Sequence, residues 1–174
     1  YLPAFAQGMK EQLDEIDVIT GNPESPTFEN TIVELERTGK TLNKVADVFF
    51  NLLSSNTNDE MDAIAAEISP KLSAHSDAIS LNKKLFNRVH EVFEQRNELG
   101  LNTEQNRLVE ETHKGFIRSG VQLDEPSMEI LTQINQELSS LSVQFDQNLL
   151  KETNEGFSLI VEDEKQLDGL PQDY

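Results

Sequence analysis

The spacing of apolar side chains constrains this chain more than any other feature, because it is helical almost from end to end. Near the start, Phe5, Met9, Leu13 and Ile16 follow one another at steps of four, four and three residues, which places them on one face of a helix. Similar stripes are separated by short segments rich in Gly, Pro, Asn and Ser, the residues that end and cap helices. Asn102, with Gln105 three residues later, predicts a capping box at the start of the fifth helix. No segment of about 20–50 residues repeats, so the stripes do not indicate a solenoid. The sequence predicts an all-α fold, an irregular bundle of about six helices.

The segment "NPESPTFENTIVELERTG", residues 22–39, contains the densest helix-start signal. Pro26 and Thr27 supply a proline start and a hydroxyl N-cap, and an apolar stripe runs from Phe28 to Leu52. Gly39 stands where this stripe lacks a large side chain, at a propensity cost of about 1 kcal/mol relative to Ala. Burying each apolar side chain contributes about 1.5–3 kcal/mol, so we expect the helix to run through Gly39. A helix packed against it would approach closely there.

Two later helices have features of their own. Pro70 lies inside the third helix, where it removes a backbone hydrogen bond, so we expect a kink or a split. The long C-terminal helix opens at Asp124 and Pro126. Its stripe has the spacing of a helix packed almost antiparallel against a neighbour, and it consists of Leu131, Ile134, Leu138, Leu141, Phe145 and Leu149.

The pattern changes after Asn154. "FSLIV", residues 157–161, is short, partly β-branched and bounded by turn residues, which predicts a single short strand. One strand cannot form a sheet alone, so we expect it to pair with sequence after Tyr174. We therefore divide the chain into a helical amino-terminal domain, residues 1–154, and a strand and tail, residues 155–174.

The charge balance excludes two classes of partner. The chain has 32 acidic and 14 basic residues, a formal net charge of −18. Such a surface repels nucleic-acid phosphates and anionic lipid headgroups, and no apolar run approaches the roughly 20 residues that span a bilayer. We expect neither a nucleic-acid nor a membrane partner. The absence of cysteine fits both a reducing cytoplasm and a disulfide-free periplasmic protein, so the compartment stays open.

The remaining candidates for chemistry are three histidines. His90 begins "HEVFE", which matches the zinc-peptidase pattern H-E-x-x-H except that Glu94 replaces the second histidine. Glu91 would be the base of such a site, but we interpret His90 and Glu94 as an exposed helix pair. His75 is expected to be partly buried and bonded to a carbonyl or carboxylate, and His113 to lie on the surface. The residues predict no catalytic, cofactor-binding or metal site in this chain.

Three sequence blocks in fixed order carry a family resemblance: "PTFENT" at 26–31, "AHSDAISLN" at 74–82 and "QNLL" at 147–150. Over essentially all 174 residues the chain resembles the amino-terminal helical region of the bacterial peptidyl-dipeptidase branch of the thimet oligopeptidase family, which are zinc metallopeptidases. The resemblance implies a two-lobed helical enzyme whose amino-terminal helices form part of one wall of a deep channel. Such enzymes release dipeptides from the carboxyl end of short unfolded peptides.

The resemblance also implies what this chain lacks. The family holds one zinc through H-E-x-x-H and a downstream Glu, and no H-E-x-x-H occurs in these 174 residues, so no zinc ligand can be transferred. We expect a substrate-channel domain that is inactive alone, with zinc in the full-length parent and with the parent's own catalytic domain and short peptides as partners. The alternative is a stand-alone helical protein-interaction module with no enzymatic role. A continuation of the coding sequence that contains H-E-x-x-H would support the enzyme.

Overall fold

The computed structural model describes residues 1–156, 158 and 160–169. Within them, six helices of 13 to 31 residues form an irregular bundle without strands, which confirms the predicted all-α fold. The helices are α1 (Leu2–Thr20), a π-helical segment (Phe28–Val33) that continues into the short α2 (Glu34–Arg37), α3 (Lys40–Ser55), α4 (Asp59–Ser80), α5 (Lys83–Gln95), α6 (Thr103–Arg118) and α7 (Glu125–Glu155), followed by a 3₁₀ turn (Glu164–Leu167). No helix of the described residues is long and apolar enough to span a membrane.

Side-chain caps fix where the helices begin. The predicted capping box of α6 is present, with the Gln105 amide donating to Asn102 Oδ1 at 2.9 Å and the Asn102 amide donating to Gln105 Oε1 at 3.0 Å. Thr27 caps the π-helical segment in the same reciprocal way with Asn30, at 3.0 and 2.8 Å. Because these side chains satisfy the first backbone donors of each helix, the sequence locates the helix starts well.

The core consists of two apolar clusters that α1 connects. In the larger cluster, Val89 and Val92 of α5 are fully buried among side chains of α1, the π-helical segment and α6. The smaller cluster, between α1, α3 and α4, contains Phe5 and Phe49, whose rings meet edge to face at 5.4 Å between centroids. α1 contributes Phe5 to one cluster and Ile16 to the other. Helices α1 to α6 therefore form one packed body.

The helix predicted to run through Gly39 is broken there, so that prediction is wrong. Gly39 adopts a left-handed φ of 72°, and its amide donates to Glu15 Oε2 at 2.8 Å instead of continuing a helix. The expected close approach does occur, since a Cβ at Gly39 would lie 2.6 Å from the Gln12 side chain. A second close approach, which the sequence did not indicate, occurs at Gly8, where a Cβ would lie 2.8 Å from the Cα of Leu42. Close packing of α1 on α3 thus requires glycine at two positions.

Two other predictions also need correction. α4 continues without interruption through Pro70, so the predicted split is wrong; burial of Ala65 and Ile68 outweighs the lost hydrogen bond. The strand at 157–161 is not confirmed, because Ser158, Ile160 and Val161 have no regular structure. Positions 157 and 159 lie outside the described residues.

The largest difference from expectation concerns α7. This helix packs against α4, as the predicted antiparallel neighbour would, but none of its residues is buried. Most of the apolar stripe that we expected at the contact faces away from α4, with Ile134, Leu138 and Phe145 exposed, whereas Leu131 is partly buried. Periodicity identified the apolar face correctly and assigned it to the wrong side.

Candidate functional site

Two of the three histidines meet between α5 and α6. His90 Nδ1 lies 3.0 Å from His113 Nε2, and the His113 ring stacks on Phe93 at 3.9 Å between centroids and 4° between planes. Phe86 stacks against both imidazoles at 5.4 to 5.7 Å. His113 is only 8% exposed, so its predicted surface position is wrong. The aromatic side chains of α5 cover it, and no local sequence pattern indicated that contact.

The histidine pair has a defined protonation requirement. A hydrogen bond between two ring nitrogens needs one N–H and one unprotonated nitrogen, so the contact is lost if both rings become cations. Burial, together with the charges of His90 and Arg96, lowers the pKa of His113, and Glu94 opposes this shift. The lowered pKa favours the neutral form of His113, which can share the hydrogen bond that joins α5 to α6.

The third histidine occupies a structural position. His75 Nε2 lies 2.8 Å from Gln12 Oε1, so Nε2 donates and the predicted hydrogen bond to a carbonyl is confirmed. Burial lowers the pKa of His75, and its buried Nδ1 has no partner. Gln12 also donates to Thr38 Oγ1 at 3.3 Å. The imidazole therefore links α4 to α1 and to the turn before Gly39.

The described part of the chain does not fit a catalytic zinc. Zinc sites in proteins use three or four nitrogen, sulfur or oxygen ligands, and no group of three or more His, Asp or Glu among the described residues could hold a metal ion. "HEVFE" does not build one either, since the structure pairs His90 with His113 on α6 rather than with Glu94. No catalytic step can be derived from these residues.

Sequence reasoning missed a buried arginine that holds the loop before the π-helical segment. Arg88 of α5, 9% exposed, donates through Nη1 to the carbonyls of Asn22 and Glu24 at 3.0 and 3.1 Å. Its Nη2 donates to Asn30 Oδ1 at 3.1 Å, and the same oxygen accepts a hydrogen bond from the Thr27 amide. The first part of the segment 22–39 is thus a loop that one guanidinium fixes to α5, and its role in the described structure is architectural.

The outer face of α7 is a continuous apolar surface that no described part of the chain covers. Its apolar side chains are between 47% and 66% exposed, and they are Ile130, Ile134, Leu138, Leu141, Phe145 and Leu149. At a rise of 1.5 Å per residue, they line about 28 Å of helix. Folded monomers rarely expose continuous apolar patches of more than a few hundred Å². Covering side chains that are already half-buried would contribute roughly 1 kcal/mol each.

The opposite face of α7 attaches to the body through polar contacts. Asn135 donates to Asp77 Oδ1 and Gln147 donates to the carbonyl of Asp62, both at 2.9 Å. Asp77 is 8% exposed, and its second carboxylate oxygen is buried without a partner. Polar contacts of this kind give small net stability, about 0.5–1.5 kcal/mol each. α7 is therefore held against α4 by its more polar side, on which the partly buried Val143 also packs against the smaller apolar cluster.

The outer face is also poor in charge. Residues 130–145 contain a single charged side chain, Glu137, whereas the chain average of 26% charged would give about four. Surfaces that stay in water carry many charges, and the centres of protein interfaces are depleted of them. Composition and exposure thus agree that the outer face of α7 resembles a buried surface.

Comparison of the sequence with known proteins shows to which class of protein this chain is similar. Over 97–99% of its length the chain matches peptidases of bacteria, plants and a slime mould, although no protein-family model matches it. A thimet-like oligopeptidase of Dictyostelium discoideum is 27% identical over 176 residues, 99% of this chain and 24% of that protein. The resemblance to peptidases that the sequence blocks indicated is therefore confirmed.

Two bacterial enzymes are considerably more similar. Dipeptidyl carboxypeptidase of Escherichia coli is 39% identical over 172 residues, and that of Salmonella typhimurium is 40% identical over 170 residues. These alignments cover 99% and 98% of this chain but 25% of each enzyme. The predicted resemblance to the amino-terminal region of this peptidase is confirmed, and the chain spans about a quarter of the length of these relatives.

Proposed function

We propose that the chain is the amino-terminal substrate-channel domain of a zinc-dependent peptidyl-dipeptidase, an enzyme that releases dipeptides from the carboxyl end of short unfolded peptides. The observation that carries this proposal is the 39–40% identity to two dipeptidyl carboxypeptidases over nearly the whole chain. Residues 1–154 are the helical domain, and residues 155–174 lead toward the catalytic domain.

The residues of this chain indicate which part of the proposed enzyme carries out catalysis. Neither a pattern H-E-x-x-H in the sequence nor a three-ligand cluster in its described part supports catalysis by this chain. The zinc and the catalytic residues therefore belong to the remaining three quarters of the enzyme. None of the residues 1–174 is catalytic, and the chain alone binds no zinc and cleaves no peptide.

The proposed contribution of the chain is steric. The body formed by α1 to α6 is rigidly packed on two apolar cores, as a channel wall must be if it is to admit extended peptides and exclude folded proteins. We expect the full-length enzyme to cleave short peptides and to leave folded proteins intact.

The test compares the full-length polypeptide with the 174-residue chain. Both are incubated with an amino-terminally blocked octapeptide, and the products are weighed by mass spectrometry. The full-length enzyme should shorten the peptide by two carboxyl-terminal residues at a time, a chelator should stop the reaction, and zinc should restore it. The 174-residue chain should release nothing and contain far less than one zinc per chain. Loss of single residues, or chelator-sensitive release by the 174-residue chain, would contradict the proposal.

One observation favours a second candidate, a stand-alone helical interaction module. The outer face of α7 is apolar and exposed, as in domains that bind a helical partner along a groove. The coding sequence after residue 174 separates the two. A stop codon supports the module, and a continuation with H-E-x-x-H supports the peptidase.

A further inference from the structure

The outer face of α7 has three properties of a surface that is permanently covered. Its six apolar side chains are continuous along the helix, they are about half exposed, and charged residues are almost absent between positions 130 and 145. Permanent interfaces resemble a hydrophobic core cut in half. This face of α7 fits that description, since the core of the body is likewise built from Leu, Ile, Val and Phe.

The same properties argue against a face that contacts substrate. Binding sites for small ligands and peptides combine apolar walls with a few placed polar groups that fix orientation. The row from Ile130 to Phe145 offers aliphatic side chains and one ring, and the polar groups of α7 that form hydrogen bonds, such as Asn135 and Gln147, point to α4. The side chains of the row itself have no polar group that could set the register of a peptide.

Charge argues against a second copy as the cover. Each chain has a net charge of −18, so a dimer through this face would bring two strongly acidic bodies together. A segment of the same polypeptide meets the face at the high effective concentration that a covalent connection provides. The relatives supply the length, because about three quarters of each dipeptidyl carboxypeptidase lies outside the region that this chain matches.

We propose that the outer face of α7 is the interface on which the rest of the same polypeptide packs, through an apolar helix face. The inference rests on the proposed function because both require a polypeptide longer than these 174 residues. The spacing of three and four residues from Ile134 to Phe145 is that of helices packed nearly antiparallel. α7 is thus the connection between the two parts of the enzyme, and its stripe lies outside the substrate channel.

The test measures access to this face in the full-length protein. Leu141→Cys and Leu138→Cys place a thiol on the outer face, and Val18→Cys places one on α1 at a side chain that is 74% exposed. The 174 residues contain no other cysteine, and peptide mapping by mass spectrometry assigns each label to its site. Native full-length protein is labelled with a maleimide, and the same rates are measured in denaturant as the control.

We expect Leu141→Cys and Leu138→Cys to react at least about tenfold more slowly than Val18→Cys in the native protein and at the same rate in denaturant. Equal rates in the native protein would overturn the inference. Protection that disappears on dilution would also overturn it, because a second copy would then be the cover.

A dipeptide-release assay on the same preparations separates this inference from the proposed function. An active enzyme with accessible thiols refutes the interface and supports the function. Protected thiols in a protein without dipeptide release support the interface and refute the function. A coding sequence that ends at residue 174 refutes both.

Discussion

α5 and α7 are both amphipathic helices, but they use their apolar faces in opposite ways. α5 buries Leu85, Val89 and Val92 completely beneath the rest of the body, whereas α7 has no buried residue and turns its stripe to solvent. An apolar face that finds its partner within the chain contributes to the stability of that chain. For an apolar face without a partner among the described residues, we propose that the rest of the polypeptide covers it.

The largest expected effect comes from shortening the same side chain in both helices. Leu85→Ala removes a fully buried side chain and leaves a cavity, which should cost about 2–5 kcal/mol of unfolding free energy. Leu141→Ala, on a side chain that is half exposed, should change the stability of the 174-residue chain by less than about 1 kcal/mol. Urea unfolding followed by circular dichroism measures both. Equal losses would mean that α7 is integrated into the core as fully as α5.

The next effect concerns the arginine that holds the first loop to α5. Arg88→Leu leaves the carbonyls of Asn22 and Glu24 without this donor and removes one of the donors to Asn30 Oδ1, and we expect a loss of roughly 2–4 kcal/mol. The matched control is Arg107→Leu, which removes an exposed ion pair with Glu111 at 2.8 Å and should cost less than about 1 kcal/mol. The same urea unfolding measures both variants. A small loss for Arg88→Leu would show that the loop is held by packing alone.

A smaller effect on stability, opposite in sign, is expected when two glycines of the body are replaced by alanine. Gly39→Ala forces a side chain into a left-handed conformation and against Gln12, which should destabilise the chain by roughly 1–3 kcal/mol. Gly115 lies inside α6 with open space around it, so Gly115→Ala should stabilise the chain by up to about 1 kcal/mol. Thermal melts give the two signs directly. A stabilising Gly39→Ala would contradict the left-handed turn that separates α2 from α3.

The smallest effect is the pH dependence of the body. Burial lowers the pKa of both His113 and His75, so the folded chain favours their neutral forms and the unfolded chain binds more protons. Stability should therefore be complete above the usual histidine pKa of about 6.5 and fall as the pH drops below it. Asp124, whose pKa the hydrogen bonds from Ser127 lower, loses its contribution only at lower pH.

His113→Gln tests whether His113 causes part of this pH dependence of stability. Urea unfolding at pH 7.5 and 5.5 should show a smaller loss of stability in this variant than in the parent chain, because one of the two buried imidazoles no longer titrates. An unchanged difference between the two pH values would exclude His113 as its source.

Local signals in the sequence were sufficient for the fold. The helical period gave the fold class, and the caps at Asn102 and Thr27 gave helix starts, because each depends on residues within one or two turns. Gly39 was misjudged because the prediction compared only helix propensity with burial energy. It could not include the left-handed φ of Gly39 or its hydrogen bond to the Glu15 carboxylate, which lies far away in the sequence. Pro70 was misjudged because packing on both sides of it keeps α4 intact.

The functional surfaces were less predictable, since they depend on contacts between helices. His113 was placed on the surface because its burial comes from Phe86 and Phe93 on another helix, about twenty residues away. Arg88 was overlooked because nothing local distinguishes a buried arginine from an exposed one. Periodicity located the stripe of α7, but it identifies a face and does not say which partner covers that face.

Hydrogen exchange by mass spectrometry compares α5 and α7 most directly, in the 174-residue chain and in the full-length protein. In the 174-residue chain the amides of α7 should exchange much faster than those of α5, because few buried contacts resist local opening. In the full-length protein the protection of α7 should rise to that of α5. Equal protection of α7 in both proteins would contradict the proposal that the rest of the polypeptide covers its apolar face.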